Sequence, residues 1–575
     1  MNLFQIIQRG AGLPLEAVSR RRARSFIEQT RHARRVQHQR LIEIVRRNVD
    51  GGFGRDHHFN EIQSPDDFRK RVPIRDYDGH EPYIARVREG DTDALFGPAT
   101  DVLMFATTSG TTDTIKTIPV TRESLTNYRD GWSIWGVFAF YEHYEILRRG
   151  LKPILQMASD WRDSYTPAGI PCGAMSGLTA HMLNPMVRFV YCMPPATMRI
   201  KDIESKYYMA LRLSVWRDVG ATVAANPSTM IAIARHGDKY KDMLIRDVAD
   251  GTIDPRWEID ADVRRGVRFR CSRRRKAAAK RLERIVDRTG RLLPKDYWPG
   301  LTFLANWTGG TMGEYLRQLP EYFGDRPVRD VGLIASEGRM TIPIADNTPA
   351  GLLDIRHHYF EFIPEDQAER DQPETLEGAD LVEGRRYFIV MTTAGGLYRY
   401  HIHDLVRCVG FQGETPLIEF LNKGSHYSSL SGEKLSEFQV VAAVEDAKRA
   451  LGQDLSAYLL VPTWGDPPYY SLLVEESDVR NAESAERFEF EVEERLKKIN
   501  FEYENKRDTL RLDPIRIRLL PAGCWDDFQK QRLAQTGGTL EQYKKPCLLP
   551  DLKAIDRFAN LRGGSRRADS SNNCS

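Results

Sequence analysis

Apolar residues recur at helical spacing between about residues 15 and 50, at Phe26, Val36, Leu41, Ile42, Ile44 and Val45 among Arg, Gln and His. This predicts a leading helical layer. Val72-Pro73-Ile74 breaks the pattern, and Asp76 is placed to cap the next helix. Val102-Leu103-Met104-Phe105-Ala106 is an apolar run of strand length, and a helix is expected from about Thr121-Arg122-Glu123-Ser124. There Tyr128, Trp132, Trp135, Phe138, Tyr141 and Tyr144 return every three or four residues. Such a face packs a core or, at one end, walls an apolar or aromatic substrate pocket, with Trp132, Trp135 and Phe138 as its candidates. Further on, Ala277 to Val286 reads as a helix ending at Gly290, and Arg386 to Thr393 as a strand.

The texture changes at Lys423-Gly424-Ser425-His426 and Ser428-Ser429-Leu430-Ser431-Gly432, a connector poor in apolar residues. Beyond it Glu437 to Leu451 reads as a helix, Leu455 to Val461 and Tyr469 to Val474 as strands, Ala485 to Ile499 as an amphipathic helix and Ile515 to Leu520 as a strand. The expectation is an α/β chain: a large domain of mixed sheets and helices over 1–424, a small α+β domain over 425–550, and a frayed tail over 551–575.

With 41% hydrophobic and 28% charged residues, the 575-residue chain has the balance of a soluble globular protein. No run approaches the ~20 apolar residues of a membrane span, and Met1 to Arg9 lacks the apolar core of a signal peptide, so a cytoplasmic address is expected. Seven scattered cysteines without a Cys-x-x-Cys pair argue against a disulfide framework or a zinc ribbon. A net charge of +3 does not advertise a polyanionic partner for the whole chain. Residues 264–291 are dense in Arg and Lys without aromatic interleaving and read as a solvated helical face, so no nucleic-acid partner is expected. Residues 364–384 read as an exposed acidic loop.

Candidate chemistry starts at Thr107-Thr108-Ser109-Gly110-Thr111-Thr112, followed by Lys116 and Pro119. Between a strand and a helix, hydroxyls, turn N–H groups and an ammonium can offset phosphate charge. This is not a Walker A loop, whose lysine directly follows a second glycine. A plain Thr/Ser-rich surface turn is the alternative.

Further segments accompany this loop: Phe68 to Tyr77; Gly332-Leu333-Ile334-Ala335-Ser336-Glu337-Gly338; Tyr359 to Pro364 with Thr392 to Asp404; Gly432 to Glu437; and Gln542-Tyr543-Lys544-Lys545-Pro546. In their order the chain resembles the auxin-responsive (Gretchen Hagen) family of acyl acid amido synthetases, adenylate-forming enzymes with a firefly-luciferase-like N-terminal domain and a C-terminal lid. The resemblance implies that ATP and Mg2+ are used to adenylate a carboxylic acid, which is then passed to an amine, usually an amino acid. Thr108, Ser109, Gly110, Thr111 and Thr112 would cradle the phosphates, with Lys116 adding charge. Ala335, Ser336 and Arg407 would belong to the nucleotide site, and Glu337 would hold the metal. Asp404 would accept the ribose hydroxyls, and Lys434 and Lys544 would reach the nucleotide from the small domain. The chain departs from the family pattern at Asp113, Leu333, His401 and His403. His401 and His403 share a strand face by the period of two, but no third ligand has usable spacing. Two other functions stay open: an acyl-CoA ligase using the same adenylate, and a catalytically silent adenylate-binding relative.

Overall fold

The computed structural model describes residues 18, 20–98, 100–108, 116–147, 151–182, 188–368, 370, 372–423, 427–428, 430, 433, 435–465, 467–508, 512–536 and 545–559. Contacts divide them into two compact units, one of residues 18–402 and 406–420, the other of 403–405, 421–536 and 545–559.

In the larger unit helix α1 (Ala33–Arg47) buries Ala33, Gln37, Arg40, Leu41, Ile44 and Val45; of the stripe that the spacing predicts, Leu41, Ile44 and Val45 are buried in it and Val36 and Ile42 half-buried. Two polar members of the buried set work as staples: Gln37 donates to the carbonyls of Ile355 and His358 at 2.7 Å, and Arg40 to that of His357 at 3.0 Å. Strand β1 (Val102–Thr108) is followed by strand β2 (Lys116–Thr121), antiparallel, with Thr108 opposite Lys116. The phosphate-type loop therefore closes a hairpin instead of leading into a helix. The run Ile118-Pro119-Val120 is buried on the sheet, and Pro119, which has no N–H to give, is tolerated because β2 is an edge strand. Helix α2 (Arg122–Glu142) starts where expected, at a legible cap: the Thr121 hydroxyl accepts the Ser124 N–H at 3.1 Å.

Strands β3 (Ile154–Gln156), β4 (Ser164–Tyr165), β5 (Pro171–Gly173), β6 (Ala221–Val223), β7 (Phe303–Asn306) and β8 (Val328–Asp330) follow. The first sheet has the order β2-β1-β5-β4, and β3-β6-β7-β8 is a parallel sheet. Parallel neighbours need crossovers. Helix α3 (Ile203–Ser214) lies between β3 and β6; α4 (Pro227–Lys239), α5 (Lys241–Asp250), α6 (Ala261–Cys271) and α7 (Lys276–Thr289) lie between β6 and β7; α8 (Gly313–Phe323) lies between β7 and β8. A core of Leu155, Tyr208, Met230, Leu282, Leu304 and Phe323 joins these helices to the sheet.

Strands β9 (Thr341–Ile342), β10 (Gly351–Leu353), β11 (Tyr359–Pro364), β12 (Leu376–Glu377), β13 (Arg386–Thr392), β14 (Tyr400–Gln412) and β15 (Thr415–Lys423) make a sheet of order β12-β11-β13-β14-β15-β10-β9. Part of the acidic segment expected as an exposed loop is thus a strand. Glu377 is buried there because Arg34, His38 and Arg69 all reach its carboxylate at 2.9 Å.

The smaller unit holds β16 (Tyr427–Ser428), β17 (Leu435–Ser436), helix α9 (Glu437–Leu451), β18 (Tyr458–Thr463), β19 (Tyr469–Glu475), α10 (Ala482–Ile499), β20 (Arg516–Leu520), α11 (Cys524–Thr536) and α12 (Ala554–Ala559). Antiparallel β18-β19 and parallel β19-β20 form a three-stranded sheet with cores on both faces. Tyr458, Leu460, Leu472 and Val474 meet α9 and α10, while Leu459, Val461, Leu473 and Leu520 meet Trp525, Phe528 and Phe558. This is the period of two at work.

Candidate functional site

The hairpin loop of residues 109–115, including Ser109, Gly110, Thr111, Thr112 and Asp113, lies outside the described residues, as do Lys434 and Lys544 and the side chain of Thr108. The mouth of the hairpin is described. Thr107 ends β1 half-buried, and the Lys116 ammonium sits 5.4 Å from the centre of the Tyr77 ring. The Tyr77 hydroxyl accepts the Thr117 N–H at 3.1 Å, and Arg88 donates to the Thr117 hydroxyl at 3.0 Å. Two cations and the hydroxyls of Thr107 and Thr117 therefore surround the point where the loop leaves the sheet, a donor set suited to phosphate oxygens.

Tyr77 begins a helix capped by Asp76, whose carboxylate accepts the Gly79 N–H at 3.2 Å. Arg75, next to the cap, pairs with Tyr400 in a parallel bridge: Arg75 N–H donates to the Arg399 carbonyl at 3.1 Å, and His401 N–H to the Arg75 carbonyl at 2.7 Å. The segment read from sequence as a helix break and as one of the ordered motif segments thus joins the hairpin mouth to the start of β14. Tyr400 extends the set, because its hydroxyl donates to Glu337 Oε1 at 3.2 Å.

Glu337 stands at the tip of a tight turn. Ile334 bridges Arg339, and the backbones of Ala335 and Gly338 bond each other at 2.9 and 3.2 Å. Ser336 and Glu337 are half-buried at the tip, while Leu333 is core. Gly338 is required by packing, since a Cβ there would come within 2.4 Å of the His358 ring.

On β14 the even residues Tyr400, Ile402 and Asp404 are buried, Asp404 at 2% exposure, and His401 and His403 are half-buried. His403 has φ 61° and Arg399 φ 47°. Both are left-handed conformations that cost a residue with a side chain of order 1–3 kcal/mol, so two of them four positions apart mark a segment held by its surroundings. Arg399 shows how. Its Nε and Nη2 grip the two oxygens of Glu361 at 3.0 Å, and its Nη1 donates to the Val72 carbonyl at 2.8 Å. Arg407 is exposed and bonded to Glu419 of the adjacent strand at 2.6 Å.

The aromatic face of α2 divides. Trp135 is core, its Nε1–H donating to the Asp330 carbonyl at 2.8 Å and its ring edge-on to Trp132 at 5.2 Å. Trp132 and Phe138 are only partly buried. Under Trp132 lies Arg339, which sequence reasoning missed. Its guanidinium is 4.4 Å from the Trp132 ring, and its Nη1 donates to the Val331 carbonyl at 2.8 Å. Its Nε and Nη2 have no hydrogen-bond partner among the described residues. Burial, partly offset by Tyr128, Asp354 and Asp330, lowers it to about 10. Gly131 makes the room, since a Cβ there would lie 2.6 Å from Arg339 Cδ. The only sequence signal was a glycine inside an otherwise aromatic helix. Beside it, His357 Nδ1 is 2.8 Å from Asp354 Oδ2 and His357 Nε2 is 3.1 Å from Asp130 Oδ2. Burial opposes a charge on this imidazole, but the two carboxylates prevail and push it up to about 9. Asp330 accepts the Thr308 and Gly332 N–H groups at 2.6 Å, yet burial raises it to about 6.

In the smaller unit the residues flanking Lys434 are fixed. Leu435 is fully buried, and the buried carboxylate of Glu433 accepts the Leu430 N–H at 2.6 Å and the Tyr470 hydroxyl. The Glu437 carboxylate, three residues after Lys434, accepts the backbone N–H of Cys547, three residues after Lys544. The two lysine-bearing segments are thereby tied together. Lys545 packs its ammonium 4.3 Å from the Trp525 ring and is lowered by burial to about 8.

Family models match along the chain in order: the GH3 family N-terminal domain at residues 22–328, the GH3 family central domain at 351–423 and the GH3 family C-terminal domain at 438–553. The chain is 25% identical to the indole-3-acetic acid-amido synthetase GH3.4 of Arabidopsis thaliana, with 97% of this chain and 96% of that protein covered. It is 24% identical to the 4-substituted benzoates-glutamate ligase GH3.12 of Arabidopsis thaliana, with 85% and 88% covered. The solved structure of the GH3.15 acyl acid amido synthetase superposes with a TM-score of 0.81 at 21% identity over 94% of this chain and 95% of that one, so the fold is shared. The hairpin, the Glu337 turn and the start of β14 are the segments that carry the resemblance, and with all three domain models matched in sequence the chain belongs to the GH3 family.

Proposed function

We propose that this protein is an ATP-dependent acyl acid amido synthetase. It adenylates a carboxylic acid with loss of pyrophosphate, then transfers the acyl group to an amine with loss of AMP. The observation that carries this reading is the ordered match of all three GH3 domains, which fits relatives named as amido synthetases and a glutamate ligase.

The first half-reaction brings a carboxylate up to a polyphosphate, so the protein's task is to offset like charge and to position. Lys116, Arg88 and the hydroxyls of Thr107 and Thr117 supply donors at the mouth of the loop 109–115, whose backbone and hydroxyls take the phosphates. Ala335 and Ser336 border the nucleotide. Asp404, with two acceptor oxygens, suits a vicinal diol. Glu337 would hold magnesium, whose charge would offset that of the phosphates. Among the described residues no three His, Cys, Asp or Glu side chains converge as a metal group. Tyr400 keeps the carboxylate aimed. Lys434 and Lys544, on segments joined through Glu437, add positive charge as residues 425–550 act as a lid. Trp132 and Phe138, partly buried, offer an aromatic wall to the acyl group, and an amino acid is the acceptor. No helix among the described residues is long and apolar enough to cross a membrane, which accords with work in the cytoplasm.

The test is isotope exchange between pyrophosphate and ATP over a panel of carboxylic acids, followed by mass identification of products with amino acids or coenzyme A. Acid-dependent exchange and an amide are expected. Failure of every acid in the panel to support exchange, or a thioester as product, overturns the reading. Asp404→Ala should abolish exchange in a protein that still folds, and near-normal exchange would remove Asp404 from the site.

A further inference from the structure

The segment from Ala261 to Arg291 holds thirteen Lys and Arg against three Asp and Glu, a net +10 in a chain whose total is +3. The structure sorts these cations. Some are internal staples: Arg264 donates to the carbonyls of Ile259, Ile253 and Trp257, Arg270 to that of Tyr191, and Arg275 stacks on Trp216 at 3.4 Å. The others are solvated. Helix α6 buries Val263, Val267 and Cys271, so its opposite face presents Arg265, Arg268 and Phe269 and runs on into Arg273, Arg274 and Lys276, all exposed. Arg265 is paired with Asp262, whereas Arg268, Arg273, Arg274 and Lys276 have no ion pair among the described residues. On this face Phe269 is 92% exposed, the highest among the exposed large apolar side chains of the described residues.

We infer that this face docks on an anionic lipid surface, with Phe269 entering the headgroup boundary and Arg268, Arg273, Arg274 and Lys276 facing lipid phosphates. A bare aromatic side chain ringed by cations gains from both apolar burial and surface charge, the two attractions an interfacial helix uses. A single-stranded nucleic acid would want successive stacking platforms, and this face has one aromatic residue. None of these residues belongs to the proposed adenylating set, so the two readings fail independently.

The test is co-sedimentation of the full chain with phosphatidylcholine vesicles and with vesicles containing phosphatidylglycerol, at low and at physiological salt. Binding is expected only with the anionic vesicles, weakening with salt. Phe269→Ser, through lost apolar burial, and separately Arg268→Glu with Arg273→Glu and Arg274→Glu, through lost and reversed charge, should each weaken it at least about tenfold. An unchanged circular dichroism spectrum and Tm serve as the folding control. Equal binding to neutral vesicles, no binding, or binding insensitive to both variants overturns the inference. So does a duplex or single-stranded DNA that binds more tightly than the vesicles and ignores Phe269→Ser, or a salt-sensitive dimer that the charge variants dissolve.

Discussion

Arg399 and Arg339 are both buried in the larger unit, and they are buried differently. Around Arg399 every demand is met: Glu361 takes two of its N–H groups, the Val72 carbonyl a third, and Glu361 is also reached by Arg69 at 3.2 Å and by the Thr375 hydroxyl at 2.6 Å. Arg339 is held by two carbonyls and the face of Trp132, with Nε and Nη2 unmatched among the described residues. A buried cation that is completely paired fixes geometry. A buried cation left incompletely paired beside the Glu337 turn keeps bonding capacity in reserve, the condition in which functional regions are commonly found.

The sharpest break of this contrast is Arg399→Met. It takes two bonds from the fully buried Glu361 carboxylate, leaving it Arg69 and the Thr375 hydroxyl, and releases the left-handed residue that precedes β14, so a loss of about 3 kcal/mol, the low end for a broken buried pair, is expected. Thermal unfolding would show it as a large drop in Tm, and a change within the noise would remove the staple role. Arg339→Met should cost much less in Tm, because the matched bonds lost are few and a flat apolar chain still packs under Trp132. Comparable losses in the two variants would erase the distinction.

The same contrast explains what the sequence made legible. Helix α1, the capped start of α2 and the order helix, two strands, helix, strand between Glu437 and Leu520 follow from apolar spacing and local caps, which are short-range signals, whereas α11 and, in the expected tail, α12 are not read from them. Nor is the hairpin: Ile118-Pro119-Val120 is too short to declare a strand, and proline argues against one unless the strand is known to be at an edge. In the candidate site, motif order singles out Glu337 and Asp404 for the roles proposed, but nothing local announces that Tyr400 would donate to Glu337 or that Arg75 would bridge Tyr400. Arg399 reads as one more motif residue, and only Glu361, 38 positions away, makes it a staple. Arg339 was invisible because its partner is a ring on another element and its space is the missing side chain of Gly131.

Gly131→Ala sharpens the contrast from the less satisfied side. The added methyl would sit 2.6 Å from Arg339 Cδ and 3.4 Å from Asp354 Oδ2, and the arginine has no solvent to retreat into. Overpacking of about 1–3 kcal/mol is set against the roughly 0.5–1 kcal/mol that alanine contributes to a helix, so a modest net destabilisation follows. A rise in Tm would mean that Arg339 yields easily and is not held against Trp132.

The smallest effect is a pH dependence, and its sign separates the two arginine environments. Beside Arg339, the His357 imidazole is held near 9 by Asp354 and Asp130 against the pull of burial, compared with about 6.5 in an unfolded chain. A group with a raised folded pKa contributes stability that is fully present below about pH 6.5 and is lost as pH rises through about 9. Asp330, raised to about 6, titrates below that window and does not mask it. Stability, read through Tm, should therefore fall between pH 6.5 and 9 by an amount on the order of 1–2 kcal/mol, since a tenfold change in proton affinity corresponds to about 1.4 kcal/mol and the neighbouring carboxylates share it. In His357→Gln that slope should flatten, while in Arg399→Met it should persist on a lower baseline. A slope unchanged in His357→Gln would show that the Asp130–His357–Asp354 chain does not carry the charge that the geometry gives it, and the Arg339 side of the comparison would then lose its electrostatic content.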